Sequence, residues 1–246
     1  DKAWSDEPLA VEVLLRVYML LGEDEVAAYC RSRLAAEPDS RAAYFVLFNL
    51  ARTRGRYDEA VGYIDQCIRL SGPDTQAGIE HALRKADLLT VAYGRTSDKS
   101  YLAKAVAVYE SLRAKMPNNP SVLNNLAYLL AQDDGRLAEA LEYARIAVQQ
   151  GPDVAGHLDT YAYLLHKSGK NAEAAQMLAA AIQQYEAEGT APVEVYEHLG
   201  MVNEALGQQD KARDAYRRAM QMAGDAAPDA MKQRIDAAMH RLARQG

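Results

Sequence analysis

The sequence predicts an all-α protein, a solenoid of stacked antiparallel helix pairs closed at its C-terminal end by one further helix. Three observations carry this. Apolar residues recur three and four apart along most of the chain, as on one face of a helix. A turn glycine followed five positions later by alanine appears as Gly55/Ala60, Gly135/Ala140, Gly169/Ala174 and Gly207/Ala212. The chain has 2 Phe and 1 Trp against 15 Tyr, so its core must be filled by Ala, Leu, Val and tyrosine rings, which suits closely packed helices.

Taken in order, the first pair spans residues 8–39, with the interrupted apolar stretch Leu9–Leu21, a turn at Gly22 and a close at Pro38. The second, 40–73, sets Tyr44, Leu47, Gly55, Tyr57, Ala60 and Ile64 in register. In the third, 74–117, Gly94 and Ala105 stand eleven apart and the polar string GRTSDKS intervenes, which predicts a turn longer by about six residues. The fourth, 118–152, shows the unit best. Leu123, Leu126, Ala127 and Leu130 share a face, Gly135 breaks the helix, and Leu137, Ala140, Leu141, Ala144 and Ala147 share the next face before Gly151–Pro152 ends it.

The fifth pair, 153–190, carries Leu158, Tyr161, Gly169, Ala174, Leu178 and Ala181, lacks a closing proline and runs on through Ala187–Glu188–Gly189 until Pro192 restarts a helix. The sixth, 191–224, is followed by a capping helix over 228–244 with Met231, Ile235, Met239 and Leu242 on its inner face. A hairpin of two short helices cannot cover its own apolar face and must stack on a neighbour, so the whole of 1–246 is expected to form a single array without a domain boundary. The alanine after each turn is where the two helices of a pair cross closely. Flexibility is expected at the Gly94 insertion and the Gly189 linker.

Several functions are disfavoured. A net charge of -6 lacks the Lys and Arg excess that phosphate neutralisation needs, which argues against nucleic acid and against attraction to anionic membranes. No run reaches the ~18 apolar residues of a membrane-spanning helix. The chain opens at Asp1 without Met, as expected of a fragment or of a mature form whose leader has been cut. Cys30 and Cys67 have no CxxC spacing and read as buried free thiols.

The segment from Gly94 to Lys99–Ser100 lacks the second glycine of a phosphate loop, with Asp98 in its place, and follows a helix rather than a strand. The histidines at 81, 157, 166, 198 and 240 form no HExxH, and Asp159 and His166, seven apart on one face, are about 10.5 Å apart along the axis. No GxSxG, SxxK or Cys–His signature appears, and Asp133–Asp134 beside Gly135 read as a solvated loop. No catalytic residue, cofactor or metal is expected.

In the sixth pair the residues approach a known pattern: Tyr196 stands at a tryptophan position, Leu199–Gly200 at a Leu–Gly pair, Asn203 at a tyrosine position, then Ala212, Tyr216 and Ala219. This resembles the tetratricopeptide repeat, a unit of about 34 residues. The resemblance implies a right-handed superhelix whose first helices line a concave groove. Carried over residue by residue, the groove positions are Phe45, Asn49 and Arg52; Asn125, Leu129 and Gln132; Asp159, Tyr163 and His166; and Glu197, Met201 and Glu204, with Arg84 from the third pair.

Such a groove would be basic at Arg52 and Arg84 and acidic at Asp159, Glu197 and Glu204. A partner would then lie with acidic residues toward the second pair, Asn125 bonding its backbone and Tyr163 anchoring it. The Lys and Asn positions of the chaperone-tail carboxylate clamp are not reproduced, and Asn49, Asn125 and Asn203 form no asparagine ladder. The strings LNNLAYLLA and HLDTYAYLLHKSGK are similar to bacterial tetratricopeptide proteins, many of which assist envelope, pilus or exopolysaccharide assembly. The function expected is an adaptor or scaffold that binds a protein or peptide in the groove. The alternatives are a regulator that responds to a signal peptide and a self-associating assembly scaffold. Envelope or periplasm and cytoplasm both remain open as locations.

Overall fold

The computed structural model describes residues 22–132, 134–223 and 229–244. The first helix expected over 8–21, and Asp133, Gly224 and Pro228, lie outside the described residues. Among those described, twelve α-helices and one short 3₁₀ turn form the chain, with no strand. They fall into two compact units, residues 1–112 and 113–246.

The first unit holds α1 (Glu23–Ala36), α2 (Arg41–Thr53), α3 (Tyr57–Ser71), α4 (Gln76–Thr96) and most of α5 (Lys99–Lys115). α2 is buried on two sides. Ala43, Val46, Leu47 and Leu50 pack on Val26, Ala27 and Cys30 of α1, whereas Phe48 and Ala51 pack on Ala60, Ile64 and Cys67 of α3 with Leu88 of α4. A first helix sandwiched this way needs apolar residues around much of its circumference, which the run AAYFVLFNLA supplies. Both cysteines are free and buried, and burial raises the Cys30 thiol to about 11.

The third pair departs from expectation. α4 runs straight through Gly94 to Thr96, and the turn is confined to Ser97, in the left-handed region at φ 57, and Asp98. The extra residues therefore lengthen the first helix rather than the loop, and Gly94 is not a point of flexibility. A helical glycine costs only about 1 kcal/mol relative to alanine, which one added turn of backbone hydrogen bonds offsets. Asp98 then starts α5 by accepting from the Ser100 N–H at 2.8 Å. The Tyr109 hydroxyl of α5 donates to Asp87 of α4 at 2.6 Å.

The second unit contains α6 (Pro120–Leu130), the 3₁₀ turn Asp134–Arg136, α7 (Leu137–Gln150), α8 (Ala155–Lys167), α9 (Asn171–Glu188), α10 (Val193–Ala205), α11 (Gln209–Ala223) and α12 (Asp229–Arg244). α6 begins with Asn119 accepting from the Val122 N–H at 3.0 Å, with Pro120 in the first turn, where no amide proton is missed. The alanines after the turns, Ala140, Ala174 and Ala212, are fully buried, as is Ala60 in the first unit. α9 is long, 18 residues, and ends at Gly189 in the left-handed region.

Three turns share one geometry. Gly55, Gly169 and Gly207 have φ of 67, 82 and 72. The amide after each reaches back to Ala51, Leu165 and Asn203 respectively, at 2.9 Å each time. This satisfies carbonyls that the helix end leaves free, and only glycine adopts the turn without strain. Gly200 is required for another reason. A Cβ there would sit 2.4 Å from the Tyr216 ring, so glycine lets α10 and α11 close upon each other.

At the C-terminal end, Met231, Ile235, Ala238 and Leu242 of α12 are buried in the core shared with α10 and α11, while Met239 is only partly covered. The expected inner face of the capping helix is thus present, with Ala238 added to it.

Candidate partner-binding face

Within the second unit, the first helices of successive pairs touch, α6 against α8 and α8 against α10. Their shared face carries an aromatic ladder. The Tyr128 ring of α6 lies 6.4 Å from Tyr163 of α8, tilted by 43°. Tyr163 stacks on His198 of α10 at 4.6 Å with 24° between planes. His198 Nδ1 is 2.7 Å from Asp159 Oδ1, one turn before Tyr163, so α8 and α10 are joined by a stack and a hydrogen bond together.

Burial sets the protonation of this face. Tyr128 is pushed up to about 12 by desolvation, with Tyr163 and Glu194 adding and Arg234 opposing. Tyr163 is raised by burial against Lys167 and Arg234. Both phenols therefore stay protonated and offer O–H donors at neutral pH. For His198 burial pulls the pKa down, but the Asp159 charge and hydrogen bond, with Glu197 and Glu194, outweigh it and raise the imidazole above its ordinary value.

The carboxylates expected to form an acidic end are each compensated. Glu197, 5% exposed, accepts two hydrogen bonds from Arg234 of α12, at 2.8 and 3.0 Å. Glu204 accepts from Arg241 at 3.3 and 3.2 Å and from the Tyr216 hydroxyl at 3.0 Å. Asp159, 8% exposed, is held by His198. The capping helix thus supplies two arginines to the face, and the expected acidity at these three positions is corrected to a set of paired charges.

In the first unit the corresponding face is built on Phe45 of α2. The His81 ring of α4 is 5.6 Å away and the Arg84 guanidinium lies over Phe45 at 5.2 Å. Asn49 Nδ2 donates to the Phe45 carbonyl at 2.8 Å, which commits part of its amide to its own helix. Arg52 is exposed at the end of α2.

The fourth pair needs a correction of register by one residue. Leu129, expected to line the groove, is 1% exposed and belongs to the core, whereas Tyr128 faces Tyr163. The string LNNLAYLLA aligns with LDTYAYLLH without a gap, pairing Tyr128 with Tyr163 and Asn124 with Asp159, so the signal was present in the shared Ala-Tyr-Leu-Leu. Asn125 is half-buried and accepts from Asn124 Nδ2 at 3.2 Å. His166 Nδ1 meets Asn171 Oδ1 at 2.7 Å across the Gly169 turn, and Met201 is half-buried against the core. Tyr128, His198 and Arg234 were missed. The last two depend on contacts between helices that local spacing does not encode.

Among the described residues no three His, Cys, Asp or Glu side chains gather in a way that would hold a metal ion. Nor is any described helix long and apolar enough to cross a membrane.

Helix pairs joined by left-handed glycine turns, crossing at small residues and meeting through their first helices, define an α-helical repeat protein. Tetratricopeptide-repeat family models match residues 101–155 and 193–225, and the chain is a tetratricopeptide-repeat protein. No curated protein matches it in sequence. Among solved structures it is similar to PilF of Pseudomonas aeruginosa, with a TM-score of 0.64 and 14% identity over 96% of this chain and 99% of that one. It is also similar to PilW, described as a widely conserved type IV pilus biogenesis factor, with a TM-score of 0.63 and 14% identity over 92% and 97%. A third is YrrB, described as a tetratricopeptide protein with an unusual peptide-binding site, at 0.51 and 15% over 87% and 98%. At these identities the likeness is one of fold. The fold is that of a scaffold for protein–protein contacts.

Proposed function

We propose that the chain is a non-catalytic adaptor that binds a partner protein segment along the face of its first helices. The observation that carries this is the ladder Tyr128–Tyr163–His198, in which three successive first helices each place a ring on one face and the outermost, Tyr128, is 36% exposed. Tyrosines held this way offer large contact area and a hydroxyl donor at low entropic cost, the qualities of a binding anchor. In the first unit, Phe45, Arg52 and Arg84 would receive acidic groups of the partner.

The likeness in fold to a pilus biogenesis factor supports an adaptor that acts within an assembly. The array is proposed as one solenoid over 1–246. A self-associating scaffold is less well supported, because α12 covers the apolar end of the stack.

The test is partner recovery on the immobilised chain. Tyr128→Ala in the second unit and Arg84→Glu in the first each alter an exposed side chain. Each is expected to reduce recovery severalfold without changing the thermal unfolding of the chain. Recovery unchanged in both variants overturns the proposal.

A further inference from the structure

The second unit holds a cavity of about 520 Å³ among α9, α10 and α11. From α10 it is lined by Tyr196, Leu199, Asn203 and Leu206, spaced three, four and three apart. At 3.6 residues per turn this stripe lies on the side of α10 opposite Glu197 and Met201, behind the face that carries the aromatic ladder. Ala175 of α9 and Ala215 of α11 line it too, and side chains this small leave the space unfilled.

Asn203 is the unexpected residue here. In the three turns of shared geometry, the amide after the left-handed glycine reaches back to Ala51, Leu165 and Asn203. Ala51 and Leu165 are apolar and each 1% exposed. Asn203 is 6% exposed, and its side chain makes no hydrogen bond among the described residues. A buried carboxamide without a partner carries a desolvation cost that leucine at the same position avoids. Having both a donor and an acceptor, it matches a peptide group. The wall beside it is fixed in advance. The Tyr196 hydroxyl and the Arg218 guanidinium both donate to Glu186, at 2.9 and 2.8 Å, and Arg218 lies over the Tyr196 ring at 4.2 Å.

Three charged side chains line the cavity, and two are matched within the chain: Asp214 by Arg217 at 2.7 Å and Arg218 by Glu186. Lys211, exposed in the first turns of α11, forms no ion pair among the described residues. The charge left over at the cavity is positive, and it complements an acid.

We propose that this cavity is a second binding site, which takes a large apolar side chain of a partner protein segment with an acidic residue next to it. Asn203 bonds the segment's backbone and Lys211 pairs with the acid. The site lies on the far side of α10 from the ladder and stands independently of the first-helix reading.

The experiment titrates the full chain with three blocked pentapeptides, alanine throughout except for Phe–Glu, Phe–Lys or a lone Glu at the centre, following the Leu199 and Leu206 methyl signals by NMR. The Phe–Glu peptide is expected to shift both. Phe–Lys should bind about two- to fivefold more weakly, as loss of an exposed ion pair implies. The peptide without Phe should bind at least about tenfold more weakly, as expected when no ring is withdrawn from water. Lys211→Glu should reverse the preference between Phe–Glu and Phe–Lys. Asn203→Leu should fill the space and abolish the shifts, with thermal unfolding unchanged or raised. Methyl signals unmoved by Phe–Glu, or a preference indifferent to Lys211→Glu, would overturn the proposal. A lowered unfolding temperature in Asn203→Leu would overturn it as well, by making the carboxamide a structural group. Tyr128→Ala is expected to leave the Phe–Glu shifts as they are, which separates this site from the ladder.

Discussion

In the first unit the ring on the proposed binding face is Phe45, backed by His81 and covered by Arg84, and neither Arg84 nor Arg52 forms a salt bridge among the described residues. In the second unit the face has three rings, and Asp159, Glu197 and Glu204 are each met by a base from a later helix. The difference comes from the last helix of the chain. α12 packs where a further first helix would follow and brings Arg234 onto Glu197, which would otherwise be buried without a partner, and Arg241 onto the half-buried Glu204, which also accepts from Tyr216. Arg52 and Arg84 are thus left without an ion pair among the described residues, whereas the three acids of the second unit are met within the chain.

The comparison can be broken most strongly through packing. Gly200→Ala places a methyl group against the buried Tyr216 ring, and overpacking there should cost about 3 kcal/mol in chemical denaturation. Gly94→Ala in the first unit meets nothing within 4 Å on a helical backbone and should stabilise by about 1 kcal/mol. Opposite signs for the same substitution would confirm that one glycine permits a close approach and the other is merely tolerated.

A smaller effect separates the two arginines of α12. Arg234→Ala strands the buried Glu197 carboxylate and should cost about 2 kcal/mol, reduced from a fully buried pair because Arg234 itself is exposed. Arg241→Ala leaves Glu204 partly in water and still bonded to Tyr216, so less than about 1 kcal/mol is expected by the same denaturation measurement. Equal losses would mean that the burial of Glu197 does not govern the pairing.

The smallest effect is a pH dependence. His198 is raised above 6.5 when folded, so its pairing stabilises fully below the unfolded value and is lost as pH climbs through the folded value. His157 works the other way, since burial lowers its pKa and the folded chain resists its protonation. Asp159→Asn isolates the first contribution. Relative to the wild type, the variant should lose more stability near pH 6 than near pH 8, and an NMR titration should show His198 shifted down. A His198 titration unchanged by Asp159→Asn would break the proposed link between α8 and α10.

Much of the fold was legible because its signals are local. The Gly55, Gly169 and Gly207 turns and the alanines five positions later describe a glycine φ and a helix crossing, both set within one hairpin. The third pair is harder to read because Gly94 signals a break as readily as it tolerates a helix, and the choice falls to the hydrogen bonds around Thr96, Ser97 and Asp98. In the fourth pair the periodicity admits two neighbouring registers. The burial of Leu129 and the meeting of Tyr128 with Tyr163 select one.

From its residues alone the chain determined that its described part is built of helix pairs, the small residues at their crossings and an amphipathic helix at 229–244, since each arises from spacing along one or two helices. Tertiary structure decided which residues of the described first helices stay exposed and which acids are paired. Those properties arise between residues roughly 35 to 40 positions apart, as in Asp159–His198 and Glu197–Arg234. Their energies depend on burial, which no single hairpin possesses until its neighbours have packed against it.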